Sequence, residues 1–207
     1  IVIITAFSNL YGSGGAPLFS IHRGKKETQT ANDIMNTSFS MLCLTGVILM
    51  VVGMLLIRPI LILFGASEGA LAYACPYMML YLIGTLPSMI AVGMNPFINA
   101  QGYSLTGMLS VAIGAAANLV LDPLFIFTLG MGTAGAALAT GLSQFISFCI
   151  LLWMCNHQDS CISISIRKFR PKLAIYREVL YGGIPSLGRQ GIASVATILM
   201  NFMCQPY

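Results

Sequence analysis

Asp122 stands four residues after Asn118 in a stretch that is otherwise nearly free of charge: between Ile34 and Gln158 the only ionised side chains are Arg58, Glu68 and Asp122. Arg58 and Glu68 share a predicted loop, which leaves Asp122 alone at membrane depth. An ionisable group there costs at least ~2.5 kcal/mol, so its default reading is functional, as a site that binds or relays an ion. A low-dielectric setting favours the neutral carboxyl, and a bound proton or Na⁺ would each compensate the charge. Pro123 has no N–H to give to the Leu119 carbonyl, which leaves an oxygen unpaired beside the acid and favours a kink. Ser110, Gly114, Asn118 and Asp122 recur every four residues and so form one small, polar stripe, expected to face an internal cavity. Leu119, Val120, Leu121 and Leu124 cover the other faces. Two other readings stand beside the ion site. Asp-Pro also begins helices, with Asp as the cap and Pro in the first turn, which would put Asp122 near the outer interface. Alternatively, Asn118 and Asp122 are a structural hydrogen-bonded pair. The rise of about 25 Å from Leu105 to Asp122 does not choose among the three.

Gln144, Thr140 and Ala136 make a second four-step stripe, readable as interhelical glue or as part of a substrate cavity. Tyr73, Tyr77 and Tyr81 make a third; an interfacial aromatic belt accounts for Tyr73, while Tyr77 fits either a belt or a site. Arg189 and Gln190 lie about a dozen residues beyond the last loop charge, so Arg189 is read as snorkelling to the interface and Gln190 as a cavity candidate. The six cysteines include no C-x-x-C pair and no His at ligand spacing, so no metal site beyond Na⁺ is expected. Gly12-Ser13-Gly14-Gly15 is not a phosphate cradle, because no strand precedes it. No catalytic triad is present, and the chain is read as a non-enzyme without a cofactor.

The elements that must carry these residues are membrane helices. Charged residues at 8% fall far below the quarter or so of a soluble domain, and the mean hydropathy of +0.85 agrees, so the fold class is all-α and polytopic. A span needs about 20 apolar residues. That yardstick predicts spans over Ile1–Ile21, Ile34–Ile57, Tyr73–Pro96, Leu105–Phe127 and Ala134–Cys155, and a sixth that begins near Val179. The chain opens and closes inside apolar runs and reads as a fragment. Basic residues cluster at Arg23, Lys25 and Lys26 and again from Arg167 to Arg177. The positive-inside rule puts loops 22–33 and 156–177 in the cytoplasm, and it explains the basic patches better than nucleic acid does.

Asn118-x-x-x-Asp122-Pro123-Leu124-Phe125-Ile126-Phe127, followed by Gly132-x-x-Gly135-Ala136-Ala137-x-Ala139-Thr140, resembles the MATE family, the multidrug and toxic compound extrusion transporters. Gly14-Gly15-Ala16-Pro17-Leu18-Phe19-Ser20-Ile21-x-Arg23-Gly24 resembles the end of the family's second helix, and Gly183-Ile184-Pro185-Ser186 the start of its seventh. The resemblance implies twelve helices in two six-helix lobes. This chain would then supply helices two to six (1–155), the cytoplasmic inter-lobe linker (156–177) and the start of the carboxy-terminal lobe (178–207). It also implies an amino-lobe site for H⁺ or Na⁺ that includes Asp122, Asn118, Thr140 and, by spacing alone, Tyr77.

The expected function is therefore a secondary antiporter of the cell membrane. It would export organic, often cationic, compounds or drugs in exchange for H⁺ or Na⁺ as a monomer embedded in lipid, with Gln144 and Gln190 at the substrate cavity. Two rivals remain. A lipid-linked oligosaccharide flippase would need a cavity of several cations, for which only Arg189 is a candidate, and a scaffold or receptor would have no use for an acid inside the membrane.

Overall fold

The computed structural model describes residues 2–63, 68–157 and 173–204, and among them every regular element is helical. Eight helices follow in order: α1 Val2–Gly24, α2 Thr28–Leu55, α3 Ile57–Leu63, α4 Glu68–Ile83, α5 Thr85–Ala100, α6 Ser104–Pro123, α7 Gly132–His157 and α8 Leu173–Cys204. A π-helical turn over Leu124–Thr128 extends α6. Most of the expected basic linker, with Arg167, Lys168, Arg170 and Lys172, lies outside the described residues, as does the side chain of Tyr73.

Short turns make successive spans antiparallel. Between α1 and α2, Lys26 takes φ 63°, Glu27 N donates to His22 O at 3.0 Å, and His22 Nδ1 pairs with Glu27 Oε2 at 2.7 Å. Between α5 and α6, Gly102 takes φ 95°, a left-handed conformation that costs glycine nothing. Gln101 Nε2 lies 3.6 Å from Met35 Sδ, which puts this turn at the same basic end of the bundle as the α1–α2 turn.

The core lies among α1, α2 and α5, where Phe19, Ile34, Met35, Leu42, Met94 and Phe97 are fully buried. The rings of Phe19 and Phe97 meet edge to face at 5.9 Å. Backbones come close where side chains are missing: a Cβ on Gly12 would lie 2.7 Å from the Gly93 carbonyl. In lipid such closeness is the main source of helix attraction, since apolar burial against lipid tails brings no hydrophobic gain.

Among the described residues three helical stretches are long and apolar enough to cross a membrane: Thr28–Leu55, Ser104–Thr128 and Gly132–Leu151. The span expected over Tyr73–Pro96 is present in broken form, as Ala74–Ile83 and Thr85–Ala100 bent by 47°. The first and sixth expected spans, α1 and α8, have the length but not the apolarity. Polar residues lower the apolarity of α1, and their hydroxyls are bonded: Ser8 Oγ donates to Ile4 O one turn back at 2.9 Å, and Ser13 Oγ meets Ser186 Oγ of α8 at 2.6 Å. Helices also start earlier than hydropathy suggests, α2 at Thr28 and α8 at Leu173, because a turn or more beyond the membrane stays helical.

Candidate functional site

Asn118 and Asp122 lie one turn apart on α6, both half-buried, with Asn118 Nδ2 3.5 Å from Asp122 Oδ1. Asp122 does not begin a helix. The helix is already running when it reaches Asp122 and continues through Pro123 (φ −63°, ψ −34°) into the π turn, so the capping reading fails. The irregularity lies beyond Pro123, where the pattern widens and Leu129 N donates to Leu124 O, five residues back, at 3.0 Å, while Ser104–Thr128 remains one span.

The polar stripe is divided in use. Its first half does not face a cavity as expected but packs on α7: Ser147 Oγ donates to Ser110 O at 2.9 Å, and a Cβ on Gly114 would lie 3.0 Å from Ser147 Cβ. Ser110 and Gly114 are buried by that contact, whereas Asn118 and Asp122, one and two turns further, emerge from it. Replacing Ser147 by Ala is expected to cost about 0.6 kcal/mol, the usual size of an interhelical hydrogen bond in a membrane, read as a small fall in thermal stability without a change in fold.

The register of α6 against α7 places Thr140. Gly114 meets Ser143 and Ser147, and near the other end a Cβ on Gly135 would lie 2.8 Å from Phe125 O. Asn118 and Asp122 fall between these two close approaches, opposite the turn of α7 that carries Thr140. Thr140 Oγ1 itself donates to Ala136 O at 2.9 Å, and its carbonyl accepts from Ser143 Oγ at 2.8 Å. Tyr77 stacks on Tyr81 of α4, rings 6.4 Å apart and 12° from parallel. Among the described residues no Cα of α4 comes within 8 Å of α6, because α7 stands between them. Gln144 is half-buried one turn along α7 from Thr140, while Gln190 sits on α8, which among the described residues meets α1 and α2. The register sets Asn118 and Asp122 against the part of α7 that carries Thr140, with Tyr77 one helix away on α4 and Gln190 on α8. Among the described residues no three of His, Cys, Asp and Glu gather to hold a metal ion.

With this helical lobe and its α6 acid in view, comparison with known proteins decides the family: the MatE family model matches residues 1–124. The chain belongs to the MatE family. It is 24% identical to the multidrug export protein MepA of Staphylococcus haemolyticus over 99% of this chain and 45% of that protein. Among solved structures, an inward-facing multidrug resistance MATE transporter of the MOP superfamily matches with a TM-score of 0.85 at 27% identity, over 91% of this chain and 43% of that one. An outward-facing one matches with a TM-score of 0.83 at 28% identity, over 97% and 44%. The chain spans about half the length of the curated relatives it matches. MatE proteins are transporters, not enzymes, and this chain has their all-α, multi-pass membrane architecture.

Two features of this MatE chain escaped the sequence reading. Asn95 Nδ2 donates to Gly107 O at 3.0 Å and Asn99 Nδ2 to Asn95 Oδ1 at 3.1 Å, beside an open groove of about 670 Å³ between α5 and α6. Their four-residue spacing is visible in the sequence, but one polar residue in an apolar run says nothing of what covers it. Ser13 and Ser186, whose hydroxyls lie 2.6 Å apart across α1 and α8, are 173 residues apart in sequence, and no local pattern pairs them.

Proposed function

We propose that the protein is an antiporter of the cell membrane that exports small organic compounds, organic cations and drugs among them, in exchange for H⁺ or Na⁺. The observation that carries this reading is the Asn118–Asp122 pair, half-buried on a membrane helix at the level of Thr140. As a carboxylate, Asp122 accepts from the Asn118 amide; with a proton or Na⁺ it becomes neutral as a unit and no longer needs that donor. Coupling arises because the charged and neutral forms favour different packings of α6 against α7, and an ion shifts the balance only through that difference. Thr140 would supply a hydroxyl to the same ion once it turns from Ala136 O, and Tyr77 a second one only after α4, which α7 separates from α6, has moved. A single carboxylate among amides and hydroxyls suits a monovalent ion.

Gln144 and Gln190 are assigned to the wall of the substrate path. Residues 1–155 are assigned to the amino-terminal lobe, 156–177 to the linker, whose last residues already lie in α8, and 178–207 to the start of a second lobe. Loops 22–33 and 156–177 face the cytoplasm by the positive-inside rule, and the protein acts as a monomer.

Loading of a fluorescent organic cation into everted vesicles tests the reading. A H⁺ or Na⁺ gradient is expected to drive uptake in vesicles with the intact protein and not in empty ones. Movement of lipid-linked sugar instead would favour a flippase, and no movement of either a scaffold. Asn118→Ala removes the donor but not the acid, so transport should persist with an ion-concentration optimum displaced from the wild type. An unchanged optimum would remove Asn118 from the site.

A further inference from the structure

We infer that α4 is a hinged arm: it pivots at Gly84 on α7 and shifts the Tyr77–Tyr81 pair relative to Asn118–Asp122 as that pair takes up and releases its ion, a motion that rests on the transport reading above. Gly84 is the single residue between α4 and α5, and the two helices differ in direction by 47° across it. The cause is Pro87, which has no N–H for the Ile83 carbonyl and whose ring crowds that oxygen. The hydrogen bonds that remain around the break are long. Gly84 N reaches Leu80 O at 3.4 Å, Ser88 N reaches Gly84 O at 3.2 Å, and the buried Thr85 hydroxyl bridges to Tyr81 O at 3.4 Å. Little backbone bonding therefore resists a change of angle here.

The two halves are held unequally. α5 buries Met89, Ile90, Met94, Phe97 and Ile98 in the α1–α2 core, whereas Leu82 is the only buried residue of α4 among its described side chains. At the pivot itself no side chain intervenes: a Cβ on Gly84 would lie 3.0 Å from Gly141 Cα. Gly141 directly follows Thr140, so a swing of α4 is felt first by the turn of α7 that faces Asn118 and Asp122. The stacked Tyr77 and Tyr81 ride on the arm, two turns and one turn before the pivot respectively. A rigid half, a loosely held half and a small residue at the joint are the parts of a hinge.

Spin labels at Met79→Cys and Val92→Cys, both exposed, would report the angle across Gly84 by pulsed EPR in the intact protein, reconstituted with its native cysteines replaced. Two distance populations are expected, with a ratio that changes between acid and alkaline pH or between Na⁺ and choline. Pro87→Ala, which restores the missing N–H, should merge them into one. Gly84→Ala, which wedges the pivot, should do the same by a different route. A single distance that no ion alters, in a preparation whose Asp122→Asn variant has lost transport, overturns the hinge and leaves the ion site standing. A shift that persists undiminished in Asp122→Asn overturns the link between arm and pair.

Discussion

Replacing Asp122 by Asn is expected to reduce ion-driven export to the level of vesicles without the protein, while membrane expression and thermal stability stay near wild type. Asn has nearly the same shape, and its amide oxygen still accepts from Asn118, so the 3.5 Å contact has a substitute. What disappears is the change of charge. A group that is always neutral gives an ion nothing to bind differentially, and a ligand without differential affinity shifts no equilibrium. Because the variant also relieves a charge at membrane depth, its stability should equal or slightly exceed that of the wild type. Asp122→Glu keeps the acid on a longer stem and should retain partial activity. Unchanged export by Asp122→Asn in the gradient assay would remove Asp122 from the coupling mechanism.

Gly183→Val should have the largest effect on assembly. A Cβ on Gly183 would run into the Leu10 carbonyl, and one on Gly182 would lie 3.0 Å from the Gly14 carbonyl. These are backbone contacts, so no rotamer change relieves them, and α8 must move off α1, its principal neighbour. Overpacking commonly costs 1–3 kcal/mol, and a clash between two backbones belongs at the upper end, about 3 kcal/mol. The separation would also break the Ser13–Ser186 hydroxyl contact. The expected reading is a clear fall in melting temperature and in yield of folded protein, against little change for Gly188→Ala on the same helix, where an added Cβ meets nothing within 4 Å. Equal melting of the two variants would contradict the close α1–α8 contact.

The spans and their order were legible because apolar length is written directly into the chain, and the four-residue spacing of Ser110, Gly114, Asn118 and Asp122 put them correctly on one stripe. Pro123 pointed to a kink, whereas the structure keeps one span there and places a π turn just after it, at Leu124–Thr128. What the stripe faced was not legible. One helix's period says which residues share a face but not what covers it, and Ser147, the partner of Ser110, lies 37 residues on. The break at Gly84 is hidden for a related reason: hydropathy over Tyr73–Pro96 is insensitive to direction. Tyr77 shows the same limit, since its ladder spacing with Tyr81 is visible but the intervening α7 is a fact of tertiary packing.

Ion movement on addition of an organic cation to proteoliposomes, in wild type and Asp122→Asn side by side, tests the central assignment most directly. In wild type a burst of H⁺ or Na⁺ in the direction opposite to the cation is expected, and in Asp122→Asn none, with cation-for-cation exchange preserved. An ion burst of wild-type size from the Asp122→Asn protein would contradict the account.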